Sequence, residues 1–345
     1  MESGASGKGD TYMITYRKAA TVDIRPALEL ALKVFLEYDA SDYGTEHTER
    51  MRKSIDERIV NQDNYFSAGR LMYVALDDIK VVGIIETYGK EHQENRVALM
   101  FVDGNYQREG IGTELMSRIV CDVKMKGHEK LVLNSSPYGL PFYRHFGFIP
   151  IEAEKNINTP WKTPMEYTPG EIWDVLDSEG NKTGRFHERG RKLAIGDYHL
   201  VVHVWKHNGR GEWLIDRRAM NRGTSIDGKW ETTGGAALAG DDSLTAALRE
   251  TKEELGIDLN PSNGILFHRI ARHGDDDRSW FQDAWVFEHD CPIETVRFQE
   301  SETCDAMWAT ADKIRDMMAA GEFLSEWFYP YFDDMVERWD AGTKI

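Results

Sequence analysis

Cysteine is scarce in this chain, and where it occurs it makes no pattern. Cys121, Cys291 and Cys304 include no C-x-x-C pair, so neither a disulfide framework nor a zinc site is expected. Long apolar runs are missing too. None is long enough to cross a bilayer, and the opening residues, MESGASGKGD, lack the apolar centre of a secretory signal. Residues 1–10 read as a flexible tail, and the chain reads as cytoplasmic, without a membrane partner. Basic residues are outnumbered, 42 Lys and Arg against 59 Asp and Glu, for a net charge of −17. That balance argues against non-specific binding to nucleic acid or anionic membrane, which repel an acidic chain. No internal repeat is visible, and no G-x-G-x-x-G dinucleotide fingerprint.

What is present is ordinary globular material: 345 residues, 41% hydrophobic and 29% charged, enough for two cores. The most constrained stretch is 234–257, GGAALAGDDSLTAALRETKEELGI. Leu244, Ala247, Leu248, Thr251 and Leu255 recur at helical spacing and make a face that can pack on a core. Glu250, Glu253 and Glu254 fall at i, i+3 and i+4, so they share a neighbouring face. Carboxylates that close repel one another, and a hard divalent cation such as Mg²⁺ or Mn²⁺ is their simplest compensation. Arg249, four residues before Glu253, is near enough to orient it. A solvated helix, its glutamates paired with Arg249 and Lys252, is the other reading of that run taken alone.

The residues upstream add to this. Gly235, Asp241, Arg249, Glu250, Glu253, Glu254, Gly256 and Ile257 follow the spacing G-x5-E-x7-R-E-U-x-E-E-x-G-U, with Asp241 in the first Glu position. The stretch resembles the Nudix box. That resemblance implies a strand–loop–helix metal site that hydrolyses a diphosphate bonded to another group. It implies Glu250, Glu253 and Glu254 as metal ligands, the Gly235 carbonyl as a further oxygen, and Glu253 or Glu254 as the catalytic carboxylate. Asp241 is one methylene shorter than Glu, which puts its reach to the metal in question.

Around the box, 171–177 reads as a strand and 178–181 as a turn. Strands at 199–205 and 213–217 flank a turn at 208–211, and further strands are expected at 265–271 and 280–288. Helices are expected at 311–319 and 323–339. In the last of these Phe328, Tyr331, Phe332 and Val336 share one face, either core or a homodimer surface. The run D-x-x-G-N-K-T-G-R-x-H (177–187), the strand YHLVVHVW (198–205) and E-x-E-x-x-x-x-x-W (300–308) resemble the Nudix branch containing isopentenyl diphosphate isomerase. That isomerase carries a Cys-Gly-His triplet where this chain has Gly234, Gly235 and Ala236, so hydrolysis is expected over isomerisation. Glu300 and Glu302 are auxiliary carboxylates or loop charges, Arg217 and Arg218 phosphate contacts or surface cations. His187 and His199 are taken as structural.

The first half begins with a strand at 13–17 and Thr21 as the cap of a helix through Ile24, Ala27, Leu28, Leu30, Ala31 and Phe35. A polar helix at 46–59, a hairpin of 72–76 and 80–87 turning at Asp77-Asp78, and a strand at 96–102 follow. Residues 101–113, FVDGNYQREGIGT, then lead into a helix through Leu115, Ile119 and Val123. Successive N–H groups at such a helix start make an anion site, and glycines at 110 and 112 let a phosphate approach. The hexapeptide alone equally fits a plain strand-to-helix turn. A strand at 130–133, then Asn134-Ser135-Ser136-Pro137-Tyr138, then PFYRHFGF (141–148) complete the pattern.

The order strand, Q-x-x-G-x-G helix, strand, N-x-S-P, F-Y-x-x-F-G-F resembles the GNAT superfamily of acyl-CoA N-acyltransferases over residues 11–167, with a last strand at 162–167. The resemblance implies acetyl-CoA as cosubstrate, its pyrophosphate on the amides of Gln107, Arg108, Glu109, Gly110, Ile111, Gly112 and Thr113. It implies a pantetheine arm along Phe101 and Val102, Tyr143 as the acid for the departing thiolate, and a small-molecule amine as acceptor. Tyr143 is otherwise a core aromatic, and Asn134 either touches the pantetheine or caps a turn. No carboxylate occurs at 97–102 to serve as base. Glu86 acts there through water or is an ordinary exposed strand residue.

The expected architecture is α/β, built as two α+β domains: a GNAT acyl-CoA acyltransferase fold at 11–167, then a Nudix α/β/α sandwich with a mixed sheet at 168–345. They join near 168–170, at the end of the proline-containing segment 156–170. The expected function is an acyltransferase fused to a Mg²⁺-dependent hydrolase of a diphosphate-containing metabolite. A ligand sensor without turnover and a prenyl diphosphate isomerase are the alternatives.

Overall fold

In the computed structural model, which describes residues 13–89, 95–151, 162–220, 222–274 and 278–342, the chain divides into two units after Gly170. The tail expected at 1–10 and the start of the proline-containing join lie outside the described residues. No helix among the described residues is long and apolar enough to cross a membrane.

The N-terminal unit is one sheet with helices on both faces. Its strands are β1 (Ile14–Lys18), β2 (Arg70–Asp77), β3 (Lys80–Tyr88), β4 (Asn95–Val102), β5 (Leu131–Ser135), β6 (Ile149–Pro150) and β7 (Thr163–Tyr167), in the order β1-β2-β3-β4-β5-β7-β6. The helices are α1 (Thr21–Tyr38), α2 (Ala40–Val60), α3 (Ile111–Met125) and α4 (Leu140–Phe146). Side chains alternate across β3, which sorts the helices between faces. Ile84 joins the core with Ile24, Leu28 and Val74 under α1. Its neighbour Gly83 faces α3, where a Cβ would lie 2.9 Å from Ile111.

Thr21 does not cap α1. Ala20 holds the cap position, and the Asp23 carboxylate accepts its N–H at 2.7 Å while pairing with Arg17 at 2.6 Å. The orphan donor is satisfied from inside the helix, so no hydroxyl is needed at the cap. More consequential is the junction of β4 and β5. These parallel strands keep register at Asn95–Leu131 and Arg96–Val132 alone, and β4 then continues to Val102 without β5 beside it.

The C-terminal unit contains β8 (Ile172–Leu176), β9 (Lys182–Glu188), β10 (His199–His207), β11 (Glu212–Arg218), β12 (Trp230–Glu231), β13 (Thr233–Ala236), β14 (Gly264–His273), β15 (Ser279–Glu288) and β16 (Thr303–Thr310). Its helices are α5 (Ser243–Leu255), α6 (Ala311–Ala319) and α7 (Phe332–Asp340). The main sheet runs β12-β11-β10-β15-β14, with β13 on β10 and β16 on β11. β10 and β15 are parallel while their other neighbours are antiparallel, so the sheet is mixed.

Alternation along β10 supplies both layers. Val202 and Val204 pack with Ala246, Ala247 and Leu255 of α5, whereas Trp205 packs with Phe323, Phe332 and Met335 on the opposite face. Each fully buried Val or Leu contributes roughly 1.5–3 kcal/mol. α5 starts where Asp242 accepts the Thr245 N–H at 2.7 Å and stops at Gly256, whose φ of 70° ends the helix. The helix expected at 323–339 is shorter. Residues 323–331 are an irregular strap: Leu324 donates to the Trp230 carbonyl at 2.9 Å, and Pro330 disfavours helical geometry before it. Helix begins at Phe332, and the Tyr331, Phe332 and Val336 side chains are buried, so this face is core.

Candidate active sites

In the C-terminal unit, β13, a short loop and α5 bring the box residues together. Gly235 faces Glu250 so closely that a Cβ on it would sit 2.4 Å from the carboxyl carbon. Arg249 is the hub. Its Nη1 donates to Glu250 at 2.9 Å and to Glu253 at 3.0 Å, its Nη2 to the Ala236 carbonyl at 3.0 Å, and its Nε to Asp241 at 3.2 Å. Asp241 also accepts the Leu238 N–H at 3.2 Å. The shorter acid is thus occupied within the loop.

The three glutamates differ in setting. Glu253 is half exposed, Glu250 largely buried and Glu254 buried. Burial pushes Glu250 up to about 7 despite Arg249 beside it. Burial pushes Glu254 well up as well, reinforced by the negative charges of Asp216, Glu231 and Glu250.

Two of those acids were not singled out in the sequence. Asp216 on β11 stands directly across from Glu231 on β12 in the ladder, an arrangement that is repulsive when both are ionised. Glu231 is pushed up to about 8 by burial and by Asp216, although Arg218 donates to it at 2.6 Å. Asp216 accepts from Thr233 at 2.6 Å, and Lys206 donates to the same Thr233 hydroxyl. Lys206 itself is fully buried and pushed down to about 8 by desolvation. The available signal was Lys206 directly after the apolar run at 204–205 and Asp216 directly after that at 213–215.

Other candidates resolve differently. Arg217 and Arg218 are not free surface cations: Arg217 donates to the Gly228 carbonyl at 2.8 Å, and Arg218 is taken by Glu231. Glu302 pairs with Arg222, while Glu300 is exposed. His199 stacks on Trp173 at 4.3 Å, and His187 bonds the Arg191 carbonyl at 3.2 Å. Gly234 has no room for a side chain, since a Cβ would lie 2.4 Å from the Val202 carbonyl oxygen.

Among the described residues no three Asp, Glu, His or Cys side chains converge closely enough to hold a cation as they stand. The donor chemistry nevertheless fits one. Arg249 is shared among Asp241, Glu250 and Glu253, burial and repulsion from other carboxylates push Glu250 and Glu254 upward, and Asp216 Oδ1 is buried without a hydrogen-bond partner among the described residues.

In the N-terminal unit the glycine-bearing turn leads from β4 into α3. Gly110 occupies the helix cap at φ 81° and Arg108 has φ 70°, so Gln107 to Gly110 form a tight turn whose last residues are exposed. Gly112 serves packing: a Cβ there would lie 3.2 Å from both Met100 and Phe142. Ile111 is buried and Thr113 exposed. The Gln107 side chain donates to the Val102 carbonyl at 3.1 Å and accepts from Tyr138 at 2.8 Å. Phe101 and Val102, both partly buried, thus lie on the stretch of β4 that β5 does not cover. Asn134 is exposed on β5, and Tyr143 is partly buried on α4, its phenol pushed up by burial and by the charge of Asp39.

Glu86 is neither exposed nor available. It is fully buried and held by Arg58 at 3.4 Å, Arg70 at 2.5 Å and the Tyr65 hydroxyl. The partners come from α2, the segment after it and the start of β2, which is why the pattern of β3 alone suggested exposure.

Comparison with known proteins matches both units. Residues 39–169 fit the acetyltransferase (GNAT) domain family and residues 197–328 the NUDIX domain family. An uncharacterised Nudix hydrolase of Listeria innocua is 34% identical over 176 residues, covering 50% of this chain and 98% of the relative. An isopentenyl-diphosphate Delta-isomerase of Shigella flexneri is 25% identical over 162 residues, 44% of this chain and 85% of that protein. Among solved structures, the PaiA N-acetyltransferase of Thermoplasma acidophilum, in complex with coenzyme A, is 21% identical over 45% of this chain and 98% of its own, with a TM-score of 0.39. The chain belongs to the Nudix hydrolase family through its C-terminal unit and carries a GNAT acetyltransferase domain ahead of it.

Proposed function

We propose that the chain is a bifunctional enzyme: an acetyl-CoA-dependent N-acetyltransferase of a small amine, joined to a divalent-cation-dependent hydrolase of an organic or nucleoside diphosphate. The observation that carries the hydrolase reading is the pair Glu250 and Glu254, largely buried one turn apart on α5, with the Gly235 backbone against Glu250. Glu250, Glu253, Glu254 and the Gly235 carbonyl are the groups assigned to hold Mg²⁺ or Mn²⁺. When bound, the cation polarises the diphosphate and offsets the charge that builds as the P–O bond breaks. The chain's own residues orient the set: Arg249 aligns Glu250 and Glu253, and Asp241 fixes Arg249. Glu253 or Glu254 takes the proton of the attacking water.

For the N-terminal unit, the uncovered stretch of β4 beside the Gly110 turn supports an acyl-CoA site. Backbone groups at Phe101 and Val102 would pair with an amide-bearing arm, and Asn134 on β5 would contact it. The amides from Gln107 to Thr113 would receive phosphates. Tyr143 stays protonated at neutral pH and so has a proton to give a thiolate.

The experiment is a pair of assays on the full chain. Nucleoside, sugar and prenyl diphosphates are incubated with Mg²⁺ or Mn²⁺, with Glu253→Gln and Glu254→Gln as controls. Acetyl-CoA is incubated with primary amines, thiol release being read with Tyr143→Phe as control. Cation-dependent hydrolysis lost in both Gln variants supports the first activity. Binding without turnover across the panel would replace it with a sensor.

A further inference from the structure

The α1–α2 junction holds a carboxylate that neither activity above uses. Asp39 separates the two helices and is 7% exposed. Its Oδ1 is buried with no hydrogen-bond partner among the described residues. The Ser136 hydroxyl bonds the same carboxylate, and Ser136 Oγ accepts the Gly139 N–H at 3.1 Å. Gly139 lies against Tyr143: a Cβ on it would sit 3.1 Å from the phenol ring and 3.4 Å from Ser136 Oγ. Contacts from Asp39 through Ser136 and Gly139 therefore lead to the proposed acid.

The rings adjoining the junction in sequence pack on other rings. Tyr43 packs on Phe35 at 5.6 Å and stacks on His47 at 4.7 Å, and Tyr38 stacks on Tyr138 at 4.8 Å. The charged groups around it are mixed. Asp42 raises the proton affinity of Asp39 in addition to burial, and Glu37 bonds Tyr38. Lys162 lies 5.5 Å over the Tyr43 ring, and burial, then Lys162 and Arg50, lower the proton affinity of His47. A buried carboxylate with a spare oxygen suits one ligand class, an ammonium bound by ion pairing.

We infer that Asp39 is the acceptor site and general base of the N-terminal unit, holding the ammonium of a small primary amine and taking its proton. The inference rests on the acyltransferase reading above. One proton of R–NH₃⁺ passes to Asp39, and the freed lone pair forms the C–N bond at the thioester carbon. The C–S bond breaks and the sulfur takes the Tyr143 proton. The second surplus proton on nitrogen restores Tyr143, and Asp39 releases its own to water. This supplies the base missing from 97–102.

The test uses the full chain with Asp39→Asn and Asp39→Ser, primary alkylamines and arylalkylamines, and acetyl-CoA binding as the check of folding. Both variants should bind acetyl-CoA within about twofold of wild type, while kcat/KM for amine falls roughly 10²–10⁴-fold and the acidic limb of its pH profile shifts. Retention of kcat/KM within about threefold, with an unchanged pH profile, overturns the inference. Wild type that binds acetyl-CoA yet releases no thiol with any amine would sink the acyltransferase reading instead. Asp39 is then judged by binding of phenethylammonium alone: weaker binding to Asp39→Asn supports the ammonium site, and equal or absent binding overturns it.

Discussion

Arg249 reaches Asp241 at 3.2 Å, so the acid that departs from the box pattern ends on the box's own arginine. The contact sits on a partly buried pair, and Arg249 orients two of the three glutamates. Asp241→Ala should therefore lower kcat of diphosphate hydrolysis about tenfold, equivalent to about 1.4 kcal/mol, while KM moves little. Steady-state kinetics check this. An unchanged kcat would mean that Arg249 holds its place without Asp241.

The acidic cluster predicts a pH signature without added cation. Glu250 and Glu231 are pushed up to about 7 and about 8, and Glu254 well up. The folded chain therefore holds protons that the unfolded chain has released, and stability falls as pH rises from about 4.5 towards 8. Lys206, pushed down to about 8, acts oppositely: above that pH the unfolded chain holds the extra proton, and stability recovers towards about 10.5. Thermal melts in EDTA should show the decline. Mg²⁺ or Mn²⁺ should flatten it, and Glu254→Gln should flatten it without either. A level profile in EDTA would count against the charge deficit.

Restoring the isomerase cysteine should fail. At Gly234 a Cβ meets the backbone oxygen of Val202 at 2.4 Å, and the backbone of β10 cannot swing aside as a flexible side chain would. Gly234→Cys should destabilise by roughly 1–3 kcal/mol and give no isomerisation of isopentenyl diphosphate. Denaturant melts and product analysis decide both parts. A stable variant that isomerises would show that the sheet yields at β13.

The turn into α3 allows a matched control. Gly110 and Gly127 have φ values of 81° and 78°, and neither has an atom within 4 Å of an added Cβ. Substitution by Ala should strain each by about 1–2 kcal/mol. Only Gly110→Ala should weaken acetyl-CoA binding, by about tenfold, because its amide lies in the proposed phosphate cradle. Calorimetric titration separates the two, and equal affinities would move the phosphates elsewhere.

Much of this was readable in the chain, and the remainder was hidden for a physical reason. Gly235 to Ile257 carries its chemistry within one strand–loop–helix, so spacing along the sequence is spacing in the site. Asp216, Glu231 and Lys206 sit on three different strands, and only the pairing of β11 with β12 and β10 brings their charges together. Glu86 misleads for the same reason, since Arg58, Tyr65 and Arg70 reach it from elsewhere. Asp39 carries no motif of its own, and its partner Ser136 lies far along the chain. The strap at 323–331 keeps helical spacing of aromatics but is captured by Trp230 and broken at Pro330.

The parting of β4 from β5 after Arg96 gives the first sheet an edge in its own interior. An ordinary edge faces outward and invites another chain. This one faces a neighbour already tied to it at one end, so what fits is a single slender strand-like guest. On the proposed reading that guest is the acyl-CoA arm, and binding it completes a ladder. The cosubstrate would then be part of the fold for as long as it stays, its affinity appearing as added stability of the N-terminal unit.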